Sequence, residues 1–162
     1  MKKIVFLFVF LFTSAMIYAQ GFGAGISGGY LTELDGFGGS ADLIYEFDEH
    51  WGVSTTFTFA VSEEGSLRNK WTALDLNARY KVFDELYLLA GGEYLSITLK
   101  DNGLGGGSIG GSFEVSDSEF GVNVGAGYKY NIVDNVNIFA EVKYVAVETG
   151  YIHSRLGLLF DF

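Results

Sequence analysis

Apolar and polar residues alternate one by one along much of this chain. Between Trp71 and Val82, Leu74, Leu76, Ala78, Tyr80 and Val82 are interleaved with Asp75, Asn77, Arg79 and Lys81. The pattern returns where Phe120, Val122, Val124, Ala126, Tyr128 and Tyr130 alternate with Gly121, Asn123, Gly125, Gly127 and Lys129. A third copy ends the chain, with Leu156, Leu158, Phe160 and Phe162 set against Arg155, Gly157, Leu159 and Asp161. A period of two places each set on one face of a β-strand, and no stretch sustains the i, i+3, i+4, i+7 stripe of a helix.

Eight strands follow: about Gln20 to Leu31, Gly38 to Phe47, Trp51 to Val61, Asn69 to Val82, Leu86 to Leu99, Glu119 to Tyr130, Val136 to Glu148 and Ile152 to Phe162. Asp48 to His50, Phe83 to Glu85 and Asn131 to Asn135 read as tight turns. Thr32 to Phe37, Ser62 to Arg68 and Lys100 to Ser118 read as longer loops, and Thr149 to Tyr151 as a short fourth. Most segments match the ~9 to 11 residues that a tilted strand needs to cross a bilayer. An even strand count with short turns at one end predicts an all-β fold, an eight-stranded antiparallel up-and-down transmembrane β-barrel with both termini on the short-turn side.

The first residues carry a different signal. Met1-Lys2-Lys3 precedes an unbroken apolar run from Ile4 to Phe12, followed by small residues up to Ala19. This is the layout of a secretory signal, too short in its apolar part for a spanning helix. Residues 1–19 are expected to be cleaved, leaving 20–162 as a single barrel domain. Their loss removes two of ten basic residues and no acid, so the net charge goes from -10 to -12.

That acidity argues against nucleic-acid partners, which call for patches of Lys and Arg. With no cysteine there is no disulfide, thiolate metal site or Cys nucleophile.

Alternation alone leaves open whether the apolar face meets lipid or an internal core, since a soluble lipocalin-like barrel alternates too. Three features favour lipid. Tyr45, Trp51, Tyr80, Tyr128, Tyr130 and Phe160 fall near one end of the apolar rows, and Tyr30, Trp71, Tyr94 and Tyr144 near the other, as interfacial girdles do. The opposite face is rich in Gly and Ser, which suits a narrow lumen. Its charges nearly balance: Asp42, Glu46, Asp75, Glu93, Glu141 and Asp161 against Arg79, Lys81, Lys129, Lys143 and Arg155. Buried ions have to be paired, so this set is expected to form a lumenal network.

With these residues in place the chain resembles the small outer-membrane β-barrels of Gram-negative bacteria, the OmpA-like and opacity-type family. The resemblance spans the mature chain as architecture. It rests on the export segment, the eight alternating segments and the end Leu158-Leu159-Phe160-Asp161-Phe162. It implies that Leu158, Phe160 and Phe162 are the signal read by the barrel-assembly machinery, and that salt bridges fill the lumen. Nothing follows Phe162, so no periplasmic peptidoglycan-binding domain is expected.

The remaining motifs are weaker. Gly23 to Gly28 and Gly105 to Gly110 match G-x-G-x-x-G, but neither lies between a strand and a helix, the context that gives this motif its phosphate chemistry. His50 reads as part of a polar turn. His153, Ser154 and Glu148 gather the residue types of a lipid A deacylase. Yet His153 and Ser154 are adjacent, and neighbouring side chains on a strand point to opposite faces.

The proposed outer loops hold Glu33, Asp35, Glu63, Glu64, Asp101, Glu114, Asp117, Glu119 and Glu148 against Arg68, Lys70 and Lys100. They read as a solvated surface, with weak Ca²⁺ or Mg²⁺ binding as the functional alternative. The expectation is a monomeric envelope barrel without cofactor, metal or catalysis. Its partners are outer-membrane lipid and lipopolysaccharide, with a possible surface partner at loop 100–118. A lipid-modifying enzyme and a soluble ligand-binding barrel are the alternatives.

Overall fold

The computed structural model describes residues 21–64, 67–101 and 113–162. The expected export segment, residues 1–19, lies outside them. Eight antiparallel strands form a closed barrel in chain order: β1 (Phe22–Leu31), β2 (Gly36–Glu46), β3 (Trp51–Glu64), β4 (Leu67–Lys81), β5 (Leu86–Asp101), β6 (Phe113–Val133), β7 (Val136–Ala146) and β8 (Tyr151–Asp161). Closure comes from β1 pairing with β8, as in Ile26 opposite Leu158. The chain contains no proline, so every strand residue can donate to the ladder. Closing the sheet removes the free edges that water could not solvate inside a bilayer. Tight turns are helped by Asp35 (φ 49) and Asn135 (φ 66), residue types that tolerate the left-handed region.

The apolar set faces outward. Leu76 is 67% exposed, between Asp75 at 0% and Asn77 at 3%. Val122, Val124, Leu74, Val142 and Leu156 are likewise exposed, while the charged row points into the lumen. A soluble barrel would need the reverse. An outside of Leu, Val, Phe and Tyr is a surface that lipid solvates and water does not.

Residues 62–64 and 67–68, expected in a loop, belong to β3 and β4, paired from Ser62 opposite Asn69 to Glu64 opposite Leu67, and two further expectations need correction. Residues 100–101 and 113–118 were expected in a loop, but they belong to β5 and β6, paired from Ser96 opposite Ser118 to Asp101 opposite Phe113. Their polar composition reads as a loop in sequence. On the sheet, Leu99 faces Val115, and the hydroxyls of Thr98 and Ser116 lie 3.5 Å apart, the kind of cross-strand pairs that stabilise a hairpin. Residues 102–112 lie outside the described residues.

The second correction concerns Trp71. It is buried in the lumen against Tyr151, with ring centroids 5.2 Å apart in an edge-to-face arrangement, and takes no part in a girdle. Its parity matches Asp75 and Asn77, which already placed it inside.

These extensions give the barrel an uneven rim. β1 and β2 turn back between Leu31 and Gly36, and β7 and β8 between Ala146 and Tyr151, whereas β3 to β6 continue as a four-stranded wall. At the end holding both termini, all three turns are short.

Leu76 sits on the outer face between the levels of Tyr80 and Tyr94. Leu76→Arg is expected to destabilise the folded barrel by about 2–4 kcal/mol, the cost of a cation at mid-bilayer depth. Urea unfolding in lipid vesicles measures it.

Candidate functional site in the barrel lumen

Two cations organise the lumen. Arg155, on β8, reaches Asp42 of β2 through Nη1 at 2.6 Å and Glu141 of β7 through Nη2 at 2.6 Å. Its Nε donates to the same Glu141 oxygen at 2.8 Å. Thr56 donates to Asp42 at 2.7 Å and Tyr87 to Glu141 at 2.8 Å. To reach Asp42, the Arg155 side chain must cross β1, whose lumenal positions are Gly23, Gly25, Ser27 and Gly29. A Cβ at Gly29 would meet Arg155 Cβ at 2.9 Å and His153 Nε2 at 2.8 Å. The small residues of β1 are the clearance for this ion pair.

Lys143, on β7, makes the second centre. It donates to Asp75 of β4 and to Glu93 of β5, the latter at 2.8 Å. Asn123 donates to the Asp75 oxygen that Lys143 uses, at 2.9 Å, and Tyr151 donates to Glu93. All six charged members of the two centres are buried. Each anion therefore has a cation plus at least one neutral donor, the condition under which buried ions are tolerated.

Nearer the terminus-bearing end, the remaining charges are half-exposed. Lys81 and Lys129 share Glu46 at 2.7 and 3.4 Å, and Lys129 lies 3.7 Å from Asp161. Asn137 donates to Asp161 at 2.8 Å. The Arg79 guanidinium lies over the Tyr87 ring, 3.8 Å from its centroid. The structure thus brings Asp42, Glu141 and Arg155 together, then Asp75, Glu93 and Lys143, and sets Glu46, Lys81 and Lys129 apart at the mouth.

Sequence reasoning missed the apolar layers above and below the charges. Leu31, Leu34, Ala60, Trp71, Ala73, Leu95, Val145 and Tyr151 pack together towards the wall-bearing end. Ile44, Phe139 and Leu159 pack at the other. The signal was present in parity: Leu95 stands two residues after Glu93, Val145 two after Lys143, and Phe139 two before Glu141. Counting only Gly, Ser and charges on the inner face hid it.

His153 is 1% exposed and faces the lumen opposite Lys143 in register, while Ser154, the next residue on the strand, points the other way. Glu148 lies in the β7–β8 turn, where its backbone N–H donates to Glu119 at 3.3 Å. The Ser–His pair of a hydrolase is not assembled, because nucleophile and base stand on opposite faces of β8. Phe162 extends β8, its N–H donating to Phe22 at 2.8 Å, and with Leu158 and Phe160 it lies on the exposed apolar side.

The model of the outer membrane protein β-barrel domain matches residues 4–157. Among solved structures, a major outer membrane protein from Thermus thermophilus is 14% identical, with a TM-score of 0.76 over 88% of this chain and 100% of that one. Neisserial surface protein A is 15% identical, with a TM-score of 0.63 over 88% and 98%. Ail, the attachment invasion locus protein of Yersinia pestis, solved with the heparin analogue sucrose octasulfate, is 19% identical, with a TM-score of 0.59 over 88% and 100%. At these identities the likeness shows the fold. Among curated proteins, none matches the chain.

Arg155→Met strands two buried carboxylates and is expected to cost about 3–5 kcal/mol. Neutralising the partners as well, in Asp42→Asn/Glu141→Gln/Arg155→Met, is expected to recover most of that loss. Urea unfolding of the single and triple variants in micelles provides the comparison.

Proposed function

The chain belongs to the outer-membrane β-barrel family and resides in the outer membrane, and from that premise we propose that it is a closed, monomeric envelope barrel whose working surface is the wall of β3 to β6. The observation that carries this reading is the edge of β6. Its ladder with β7 begins at Val122 opposite Ala146, while its ladder with β5 continues to Phe113. The stretch from Phe113 to Ser118 therefore has β5 as its ladder partner on one side, and on the other an extended peptide can add as a further strand.

Charge selects the partner. The sequence puts Glu114, Asp117 and Glu119 on this edge, within an outer region of nine acids and three bases. A basic extended segment fits such a surface. Ail was solved with a sulfated sugar analogue, and a polyanion of that kind would be repelled here.

Lipid and lipopolysaccharide surround the belt in this reading, and Leu158, Phe160 and Phe162 serve the barrel-assembly machinery during insertion. The lumen admits no free diffusion, because an eight-stranded barrel is just wide enough for its side chains and apolar layers lie on both sides of the ion pairs. Catalysis has no support from the opposed His153 and Ser154.

Two measurements test the proposal. In planar bilayers the purified barrel is expected to give no steady conductance; a stable open level would contradict the closed lumen. Proteoliposomes are expected to capture an alternating lysine–valine peptide at low salt. The triple change Glu114→Lys/Asp117→Lys/Glu119→Lys is expected to weaken capture by roughly tenfold, equivalent to about 1.4 kcal/mol. Unchanged capture would rule out the β6 edge.

A further inference from the structure

The two buried ion centres differ in how much positive charge they hold. Around Arg155, the carboxylates of Asp42 and Glu141 have a second cation close by, because Arg79 lies over the ring of Tyr87, whose hydroxyl donates to Glu141. Around Lys143, Asp75 and Glu93 share one ammonium, and among the described residues no other cation pairs with them. Two anions against one cation leave this centre one positive charge short. A net charge buried in protein has to be compensated.

The missing charge has one open seat. Asp75 on β4 and Glu93 on β5 stand directly opposite in register, a position in which two like charges repel. Their carboxyl groups nevertheless lie in hydrogen-bond contact with each other. Glu93 accepts from Lys143 at Oε2 and from Tyr151 at Oε1, while Asp75 accepts from Lys143 and Asn123, both at Oδ1. Of these four oxygens, Asp75 Oδ2 alone has no donor, and it is buried. The other groups around the pair leave the charge unmet. Asn77, the next lumenal residue of β4, and Asn123 of β6 are neutral, and a turned Asn77 amide brings a hydrogen bond without a charge. His153 of β8 stands opposite Lys143 and two residues before Arg155. A proton there would add a third cation beside two others, at an Nε2 that has no acceptor.

We propose that Asp75 and Glu93 bind one proton between them at neutral pH, seated on Asp75 Oδ2 and donated to Glu93. Two carboxyl groups with one proton and one ammonium carry no net charge. The repulsion across β4 and β5 becomes a hydrogen bond, and the unpartnered oxygen becomes a donor. As in other carboxylates that share a site, the proton belongs to the pair. In the unfolded chain both groups are ionised above about pH 5, so folding takes up one proton from solvent. Stability therefore falls as pH rises, and the folding constant loses up to about tenfold per pH unit while the pair keeps its proton. Asp75→Asn fixes an equivalent hydrogen and the same charge in place, and so removes this dependence.

Infrared spectroscopy of the mature chain folded in detergent at pH 7 reads the carbonyl stretch of a protonated carboxyl group directly. Wild type is expected to show this band and Asp75→Asn to lack it. Between about pH 6 and 8, the ratio of the wild-type to the variant unfolding constant in urea is expected to rise by about tenfold per pH unit. Absence of the band from the folded wild type overturns the proposal, and that measurement decides the matter even if the variant does not refold. A band that persists in folded Asp75→Asn places the proton on another carboxyl group and overturns it too, as does a ratio that stays flat across the range.

Discussion

A charge buried inside the barrel has to meet its opposite across it, and much of this structure follows from that constraint. Lys143 joins β7 to β4 and β5, and Arg155 joins β8 to β2 and β7. Neither centre is contained within one hairpin. Arg155 meets Asp42 only when β8 has closed on β1, so this lumenal pair spans the seam of the sheet. Ion pairing and closure are thus one event, because an open sheet would leave Asp42 without its guanidinium. The glycines of β1 belong to the same requirement, since the Arg155 side chain has to pass over that strand.

Much of this was legible in the sequence, and the reason is geometric. A two-residue period assigns every side chain of a strand to a face once one charged residue fixes the parity. Asp75, Glu93, Glu141, Lys143 and Arg155 were therefore placed inside before any partner was known. Which carboxylate meets which cation was not legible, because partners such as Asp75 and Lys143 lie 68 residues apart in the chain and meet only through the tilt and stagger of the closed barrel. The apolar layers were missed for a different reason. Trp71, Leu95 and Val145 share parity with the charges, but hydrophobic residues were assigned to lipid by type. Where the lumen needs filling as well as neutralising, parity outranks hydrophobicity.

The rim taught a related lesson about composition. The stretch from Phe113 to Ser118 is rich in Ser, Asp and Glu, which reads as loop, yet it extends β6 well above the girdle. Within a bilayer a strand is limited by the apolar thickness. Beyond it, polar residues are as acceptable as apolar ones, and the ladder continues as long as the neighbouring strand supplies partners. Sequence polarity marks where the membrane ends and says little about where the sheet ends. This is why the strands on one side outrun those on the other without any change in the buried layers beneath.

The same separation explains how one chain can combine a fully paired base with the edge proposed as its interaction surface. Below the rim, β6 has partners on both sides, and its lumenal Asn123 is tied into the Lys143 centre. Above Val122 it loses β7 and keeps only β5. A strand held on one side presents unpaired backbone groups that would be intolerable in lipid and are harmless in water, provided that charge keeps unwanted strands away. Acidic residues along that edge meet this condition against other acidic chains, including further copies of this one, and relax it for basic ones. The protection of the edge and the selectivity proposed for it therefore have one physical origin.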